Sequence, residues 1–258
     1  MIRSPLPVVI VMLVALLAAC AIFFAFARQK PAEIISRTPS SSASHAALGS
    51  VGVQRAWEIP SASASFGAGS NQWPFSAGQG PSELHLQAQY SDAKGLHSLE
   101  LYRQGQRRLR KITDNRLELH AQLGDDNEMN YVWIDRAKSL VQKVSRTNLY
   151  RIGSPFEFSS AATMLTKPHT DFSVAQASPD TPIETPMGAC TLYRVELKGA
   201  SQEICWSPTW GIPLFLRGNG FWLKVTSLDS TAHDADFVVD IKGMRVIDAN
   251  EQIDPSLD

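Results

Sequence analysis

The sequence lacks the local motifs that identify the common enzyme classes. It contains no Gly-x-Ser-x-Gly nucleophile elbow of a serine hydrolase, and its glycine-rich stretches contain no phosphate-binding fingerprint. None of its six histidines forms a pair at zinc-ligand spacing or has a cysteine close in sequence. The acidic run from Asp125 to Glu128 lacks the spacing of a calcium loop and is typical of a hairpin turn. We therefore predict a non-catalytic protein with no metal and no cofactor.

An excess of charge of one sign is also missing. The chain has 258 residues, with 24 lysines and arginines against 25 aspartates and glutamates, and a formal net charge of -1. A chain with this balance has no overall field that attracts nucleic acid, so we predict no nucleic-acid partner. Any recognition that depends on charge must therefore be local.

One short stretch of the chain is locally basic. Arg107, Arg108 and Arg110 fall in a run with Arg103, Lys111 and Arg116 that is opposed only by Asp114. Arginines that alternate along a strand are typical of a solvated face. The functional alternative is a basic surface that binds anionic lipid headgroups or a polyanionic glycan beside a membrane.

The N-terminus contains a long apolar run from Val8 to Ala27, without a charge, a glycine or a proline. At about 1.5 Å per residue, a helix of this length is about 30 Å long and matches the hydrocarbon thickness of a bilayer. We predict that residues 1–28 form an uncleaved transmembrane anchor. Ordinary signal cleavage is disfavoured, since the apolar region of a signal peptide usually has only about 7 to 15 residues.

A lipoprotein anchor is the sharper alternative. The four residues ending at Cys20 resemble a lipobox, in which this cysteine would become the acylated first residue of the mature chain. The chain stays apolar after Cys20, which favours the uncleaved anchor.

Residues 29–82 are rich in serine, alanine, glycine and proline and are interpreted as a tether. Two aromatic islands interrupt it, at residues 51–59 and 73–75, and we expect them to dock on the main domain.

The downstream cysteines and strands favour export, although the positive-inside count slightly favours a cytoplasmic C-terminus. We predict a single-pass inner-membrane protein whose C-terminal domain lies in the periplasm.

Residues 83–250 show the sequence pattern of an antiparallel β domain. Residues 251–258 are predicted to form a C-terminal tail. Short runs of alternating apolar and polar residues are separated by turn residues. The expected strands are 84–90, 99–103, 108–113, 117–122, 129–134, 140–144, 190–197, 202–206, 214–217, 221–227, 237–241 and 244–247. Residues 156–165 have helical spacing, and four prolines in residues 167–187 favour a surface excursion. The predicted fold class is mainly β (α+β): a strongly curved antiparallel sheet or unclosed β-barrel with one short helix, preceded by an N-terminal transmembrane helix.

Cys190 and Cys205 flank a predicted hairpin and are expected to form a disulfide in an exported domain. A bridge closing this loop would contribute about 3 kcal/mol in the chain-entropy model. Simple hairpin register does not place the two cysteines opposite each other, so the bridge requires a diagonal contact or a bulge. The alternative is two buried free thiols.

Several aromatic residues lie in or beside strands and are candidates for lining the concave face of the sheet. One short helix covers little of a sheet of nine or more strands, so either the sheet closes or an apolar cavity remains. Plain core packing is the alternative for each of these residues. The candidate lining residues are Trp133, Phe215, Trp222, Trp206 and Trp210.

The arrangement resembles the superfamily of outer-membrane lipoprotein carriers and lipoprotein-sorting factors. The resemblance is carried by the meander of residues 84–152 and by three short segments, Gly188 to Arg194, Cys205 to Pro208 and Gly211 to Leu214. It implies an unclosed antiparallel barrel wrapped around helices, with an apolar cavity for acyl chains. The chain departs from the carriers because it lacks a long N-terminal amphipathic helix and has an uncleaved anchor. A tethered binder or envelope-sensing module is therefore more plausible than a diffusing shuttle.

The sequence therefore predicts a membrane-tethered extracytoplasmic binding domain for an apolar or lipidic ligand. The first alternative is an interaction or sensing module that docks an envelope protein through Trp73 or the surface from Trp206 to Trp210. An enzyme with a dispersed carboxylate pair is a further alternative, but no local motif supports it.

Overall fold

The computed structural model describes residues 65–76, 78–154, 156–178 and 182–251. The predicted anchor, Cys20 and the larger part of the predicted tether lie outside the described residues. Within the described ranges, no helix is long and apolar enough to cross a membrane.

The described chain consists mainly of strands, with a few short helical segments between them. The helices are α1 (Arg146–Arg151) and α2 (Phe158–Thr163), and the 3-10 turns are η1 (Arg136–Lys138), η2 (Asp234–Phe237) and η3 (Ala249–Glu251). The strands are β1 (Ser65–Phe66), β2 (Glu83–Asp92), β3 (Gly95–Gln104), β4 (Arg108–Thr113), β5 (Leu117–Leu123), β6 (Met129–Asp135), β7 (Leu140–Ser145), β8 (Phe172–Ser178), β9 (Ile183–Thr185), β10 (Gly188–Leu197), β11 (Ala200–Ser207), β12 (Ile212–Gly218), β13 (Phe221–Asp229) and β14 (Arg245–Asp248).

All fourteen strands belong to one unclosed sheet. Its order is β1-β8-β10-β11-β12-β13-β2-β3-β4-β5-β6-β7-β14. Strand β9 lies outside this linear order and pairs with β10. Two meanders, β2 to β7 and β10 to β13, join where β13 pairs antiparallel with β2. Among the described strands, only β14 runs parallel to its neighbour, β7. The prediction of a mainly β fold with an unclosed antiparallel sheet is confirmed in this form.

The period-two pattern of the sequence determines which face of the sheet is buried. Alternate residues of β2, from Leu84 to Tyr90, are buried, and the cross-strand register places Leu86 opposite Leu101. Residues opposite each other in a ladder project from the same face. We call this face, which carries Leu84, Leu86 and Leu101, the inner face.

Helix α2 shows that the sheet curves. It packs against both β4 and β12, which are four strands apart in the sheet. Four strand spacings correspond to about 19 Å in a flat sheet, whereas a helix is only about 10 Å across. The sheet therefore wraps around α2.

Three details differ from the sequence expectations. The described chain has two α-helices rather than one, because Ser145 caps α1 by accepting a hydrogen bond from the Asn148 amide. Residues 237–241 form no strand, since the carbonyls of Asp236 and Asp240 accept hydrogen bonds from arginine side chains instead of a strand ladder. The predicted surface excursion contains β8, which pairs with β10 in the sheet.

The last part of the predicted tether belongs to the folded unit. Strand β1 pairs with β8, and Ser70 forms a bridge to Val174. Phe75 is only 5% exposed and packs edge-to-face on Tyr193. The expected docking of the second aromatic island is confirmed, and the chain contacts the sheet from Ser65 onward.

Candidate functional site

Trp133 is the predicted lining residue that lies on the inner face. Continuous register through β5, β4 and β3 places it in one row with Leu119, Lys111 and Leu101. Its ring is 9% exposed and lies 6.0 Å from the ring of Phe156. The indole Nε1 is buried and has no hydrogen-bond partner among the residues that the structure describes. Trp133 therefore presents an unused donor to the interior.

Residues 156–165, which we call the plug, cover the inner face beside Trp133. The hydroxyl of Tyr131 donates a hydrogen bond of 3.0 Å to the carbonyl of Phe156. Helix α2 then buries Ala161 and Ala162, and the plug ends at the buried residues Met164 and Leu165. Met164 has a φ of 58°, in the left-handed region, which stops the helix after less than two turns. The inner face is thus covered by one short, largely apolar segment.

Phe215 and Trp222 do not share the inner face with Trp133. The ladder places Leu216 opposite Leu223 on the inner face, and it places Phe215 opposite Lys224 and Arg217 opposite Trp222 on the outer face. Phe215 is fully buried and Trp222 is half-buried. Residues Ile212 to Leu216 are all buried, so the alternation that would have revealed the face of Phe215 is missing from this strand.

Trp206 and Trp210 hold neighbouring chain segments in place. Trp206 is 3% exposed, packs on Phe75 and donates from Nε1 to the Gln79 side-chain oxygen at 3.3 Å. Trp210 donates from Nε1 to the Met187 carbonyl at 3.1 Å. Both indole donors are therefore occupied by contacts within the domain.

Cys190 and Cys205 lie at disulfide distance, with Cα atoms 5.4 Å apart. The register places Leu192 opposite Cys205, so Cys190 reaches its partner diagonally across the hairpin. Both cysteines are buried. The expected pairing and its diagonal geometry agree with these positions.

The predicted basic surface is largely compensated by acidic and carbonyl groups. Arg107 is exposed in the turn before β4. Arg108 pairs with Asp234 and lies over the ring of Phe237, 4.9 Å from its centre. Arg110 pairs with Glu118 at 3.1 Å. Two of the three arginines therefore bind groups of their own domain.

Glu118 is the centre of a buried charged cluster on the outer face. It is 4% exposed, and its carboxylate contacts Arg110, Arg136 and the Nε2 atom of His120. Burial alone would raise its pKa, but hydrogen bonds from His120 and Arg136 and the charges of Arg110 and Arg136 lower the pKa of Glu118 from 4.5 to about 2. Residues 233–241, which we call the strap, receive further hydrogen bonds from both arginines. This cluster ties the strap to the sheet.

Arg103 is buried on the inner face, near the end of β3. Its side chain is 1% exposed, and Nη2 donates to the carbonyls of Pro81 at 3.4 Å and Trp210 at 3.3 Å. Its Nε and Nη1 atoms have no hydrogen-bond partner in the described part of the chain. Burial lowers the pKa of this guanidinium. The sequence placed Arg103 in the basic run that is typical of a solvated face, but Arg103 follows Leu99 and Leu101 on the apolar phase of β3 and is buried with them. That position in the alternation is the signal that could have identified it.

No cluster of metal ligands accompanies these groups. Within the four described ranges, no set of three or more histidine, cysteine, aspartate or glutamate side chains is placed to hold a metal ion.

Comparison with known proteins gives little further information. Neither a protein-family model nor a curated protein matches the chain. A solved structure of PNGF-II matches with 10% identity and a TM-score of 0.38, and the match covers 67% of this chain and 33% of that chain. The chain thus spans about a third of that structure's length, and a likeness at this TM-score indicates neither fold nor function.

Proposed function

We propose that this protein is a membrane-tethered extracytoplasmic domain that binds an apolar or lipidic ligand on its inner face, beneath the plug. The observation that carries this proposal is the buried Nε1 donor of Trp133 on the inner face. This donor has no acceptor among the described residues. An unmet buried donor costs free energy, which a ligand acceptor would recover. The side chains of Leu119, Ala121 and Tyr131, which lie beside Trp133 on the inner face, would supply apolar contact area.

The plug has the properties of a cover that moves. Helix α2 has only six residues, and its N-cap residue Glu157 makes no side-chain capping bond. A helix this short is marginal without tertiary packing. Glu157 instead pairs with Arg146 at 3.1 Å on the exposed surface, where an ion pair contributes little. The ligand would replace the apolar contacts that the plug makes with the inner face.

The predicted location fits this role. A tether that follows an N-terminal anchor keeps the domain close to a membrane, where lipidic ligands are available. The Cys190 and Cys205 pair suits an oxidising compartment such as the periplasm. Acylation at Cys20 in place of an uncleaved anchor would give the same proximity to lipid.

Lipid analysis and fatty-acid titration of the purified full chain test the proposal. The chain, extracted in a mild non-ionic detergent, should retain a co-purifying lipid and bind a fluorescent long-chain fatty acid at saturable stoichiometry. Trp133→Leu should weaken this binding about tenfold through the lost apolar contact and donor. The matched control is Trp222→Leu on the outer face, which should leave the affinity unchanged. An empty protein that binds no fatty acid, or equal effects of the two variants, would overturn the proposal.

A further inference from the structure

Arg103 has hydrogen-bond donors that the protein does not use. A guanidinium carries five N–H donors. Both contacts of Arg103 come from Nη2, which donates to the carbonyls of Pro81 and Trp210. The Nε and Nη1 atoms carry the other donors and are buried without a partner within the described ranges.

The charge of Arg103 is also unmatched. Among the described residues, no carboxylate lies within ion-pairing distance of this guanidinium, whereas Arg110 and Arg136 share the carboxylate of Glu118. An arginine does not lose its proton in a protein, so burial cannot neutralise it. A buried cation without an anion is costly, and such a position calls for an anionic partner from outside the chain.

The local backbone holds the guanidinium in place. The segment with Gly80 crosses the turn with Gly211 so closely that a Cβ atom at either glycine would overlap the other backbone. This crossing brings the carbonyls of Pro81 and Trp210 to the same side of Arg103. The two bonds from Nη2 therefore fix the orientation of the free donors before any ligand arrives.

Arg103 and Trp133 lie on the same inner face. Arg103 stands opposite Leu84 and Leu109, both of which are buried on that face. Trp133 lies on β6, three strands away from Arg103 on β3. Three strand spacings correspond to about 14 Å, the span of a long alkyl chain rather than of a small solute.

We propose that Arg103 binds the anionic head group, a carboxylate or a phosphate monoester, of a ligand whose alkyl chain extends along the inner face toward Trp133. This assignment rests on the proposed function and names the class of ligand: a long-chain amphiphile with a negative head. The head group accepts hydrogen bonds from Nε or Nη1, and the leucines beside Arg103 contact the first part of the chain.

The test compares head groups on amphiphiles that each contain sixteen carbons. The full chain, in non-ionic detergent, is titrated with palmitate, hexadecyl phosphate and hexadecanol, and binding is measured by native mass spectrometry. The variants are Arg103→Gln, which removes the charge, Arg103→Lys, which keeps it, and the exposed control Arg107→Gln. Thermal unfolding of each ligand-free variant reports whether it folds.

The wild type should bind palmitate or hexadecyl phosphate about 10- to 100-fold more tightly than hexadecanol, the range expected for a charge-assisted hydrogen bond. The stronger of the two anions identifies the head group. Arg103→Gln should abolish this preference while hexadecanol still binds, Arg103→Lys should keep part of it, and Arg107→Gln should keep all of it.

Two different failures are distinguishable. If hexadecanol binds as tightly as both anions, or if Arg103→Gln lowers the unfolding temperature without changing the preference, then Arg103 is only a clamp on two carbonyls and the anion site is refuted. If none of the three amphiphiles binds to the folded wild type, the proposed function itself fails.

Discussion

Replacing Glu118 by glutamine should destabilise the domain in a strongly pH-dependent way. Glutamine keeps nearly the same shape but removes the negative charge that Arg110 and Arg136 share. The two arginines would then face each other beside a neutral amide beneath the strap.

The size of the effect follows from the pKa of Glu118. The pKa is 4.5 in the unfolded reference and about 2 in the folded protein, which corresponds to about 3 kcal/mol of stability. Arg136 is about one third exposed, so solvent screens part of its attraction, and we expect about 2 to 3 kcal/mol. Because the folded pKa is the lower one, this stability is present above pH 4.5 and is lost as the pH falls toward 2.

Urea unfolding of the full chain, followed by tryptophan fluorescence from pH 7 to pH 2.5, measures this contribution. Glu118→Gln should be about 2 to 3 kcal/mol less stable than the wild type at pH 7, and the difference should shrink steadily below pH 4.5. The control is Glu196→Gln, the same chemical change at an exposed strand position, which should shift stability by less than about 0.5 kcal/mol. Equal stability of Glu118→Gln and the wild type at pH 7, or a difference at pH 2.5 as large as the difference at pH 7, would refute the reasoning.

Three further predictions concern contacts that hold the domain together. Reducing the bridge between Cys190 and Cys205, which are 15 residues apart in sequence, should lower stability by about 3 kcal/mol, and an unchanged urea midpoint would contradict a formed bridge. Phe75→Ala should cost about 3 kcal/mol in the same assay, because a buried ring is removed; a loss below about 1 kcal/mol would mean that this segment is not part of the cooperative unit. Gly211→Ala should largely abolish folding, judged by circular dichroism, since its Cβ would overlap the Gln79 carbonyl. Gly199→Ala, also at positive φ but with open space around it, should cost only about 1 kcal/mol, and equal effects would argue against the backbone crossing.

The meander could be predicted because its signal is local. The alternation of residues 84–90 and the turn before Leu99 are contained in one short stretch, and the observed strands β2 and β3 include both runs. The pairing of β13 with β2 could not be derived in this way. Their partners, such as Leu223 and Tyr90, are separated by most of the domain, and no local pattern specifies which distant strands meet.

The charged cluster shows a second limit of local patterns. In β5 the alternation of Leu117, Glu118, Leu119 and His120 is typical of a strand with one solvent-exposed face. The strap covers that face, so Glu118 and His120 become buried and their charges acquire a structural role. The burial of Glu118 and His120 therefore depends on the tertiary position of the strap, which lies more than a hundred residues later in the chain.

Short elements were missed for a related reason. Helix α1 is six residues long, which is less than two turns and too short to show a helical period, so its main signal is the cap at Ser145. Strand β8 lies between Pro168 and Pro179 and contains no proline itself, although the proline content of the surrounding stretch favoured irregular structure.

Photo-crosslinking with a diazirine-bearing long-chain fatty acid tests the central claim most directly, because it reports both binding and place. The full chain in non-ionic detergent is irradiated with the probe, digested and mapped by tandem mass spectrometry. We expect crosslinks at Trp133 and in the plug, residues 156–165, and we expect excess palmitate to remove these crosslinks by competition. Crosslinks confined to the apolar run from Val8 to Ala27 or to the outer face around Trp222, or no competed crosslink at all, would contradict this claim.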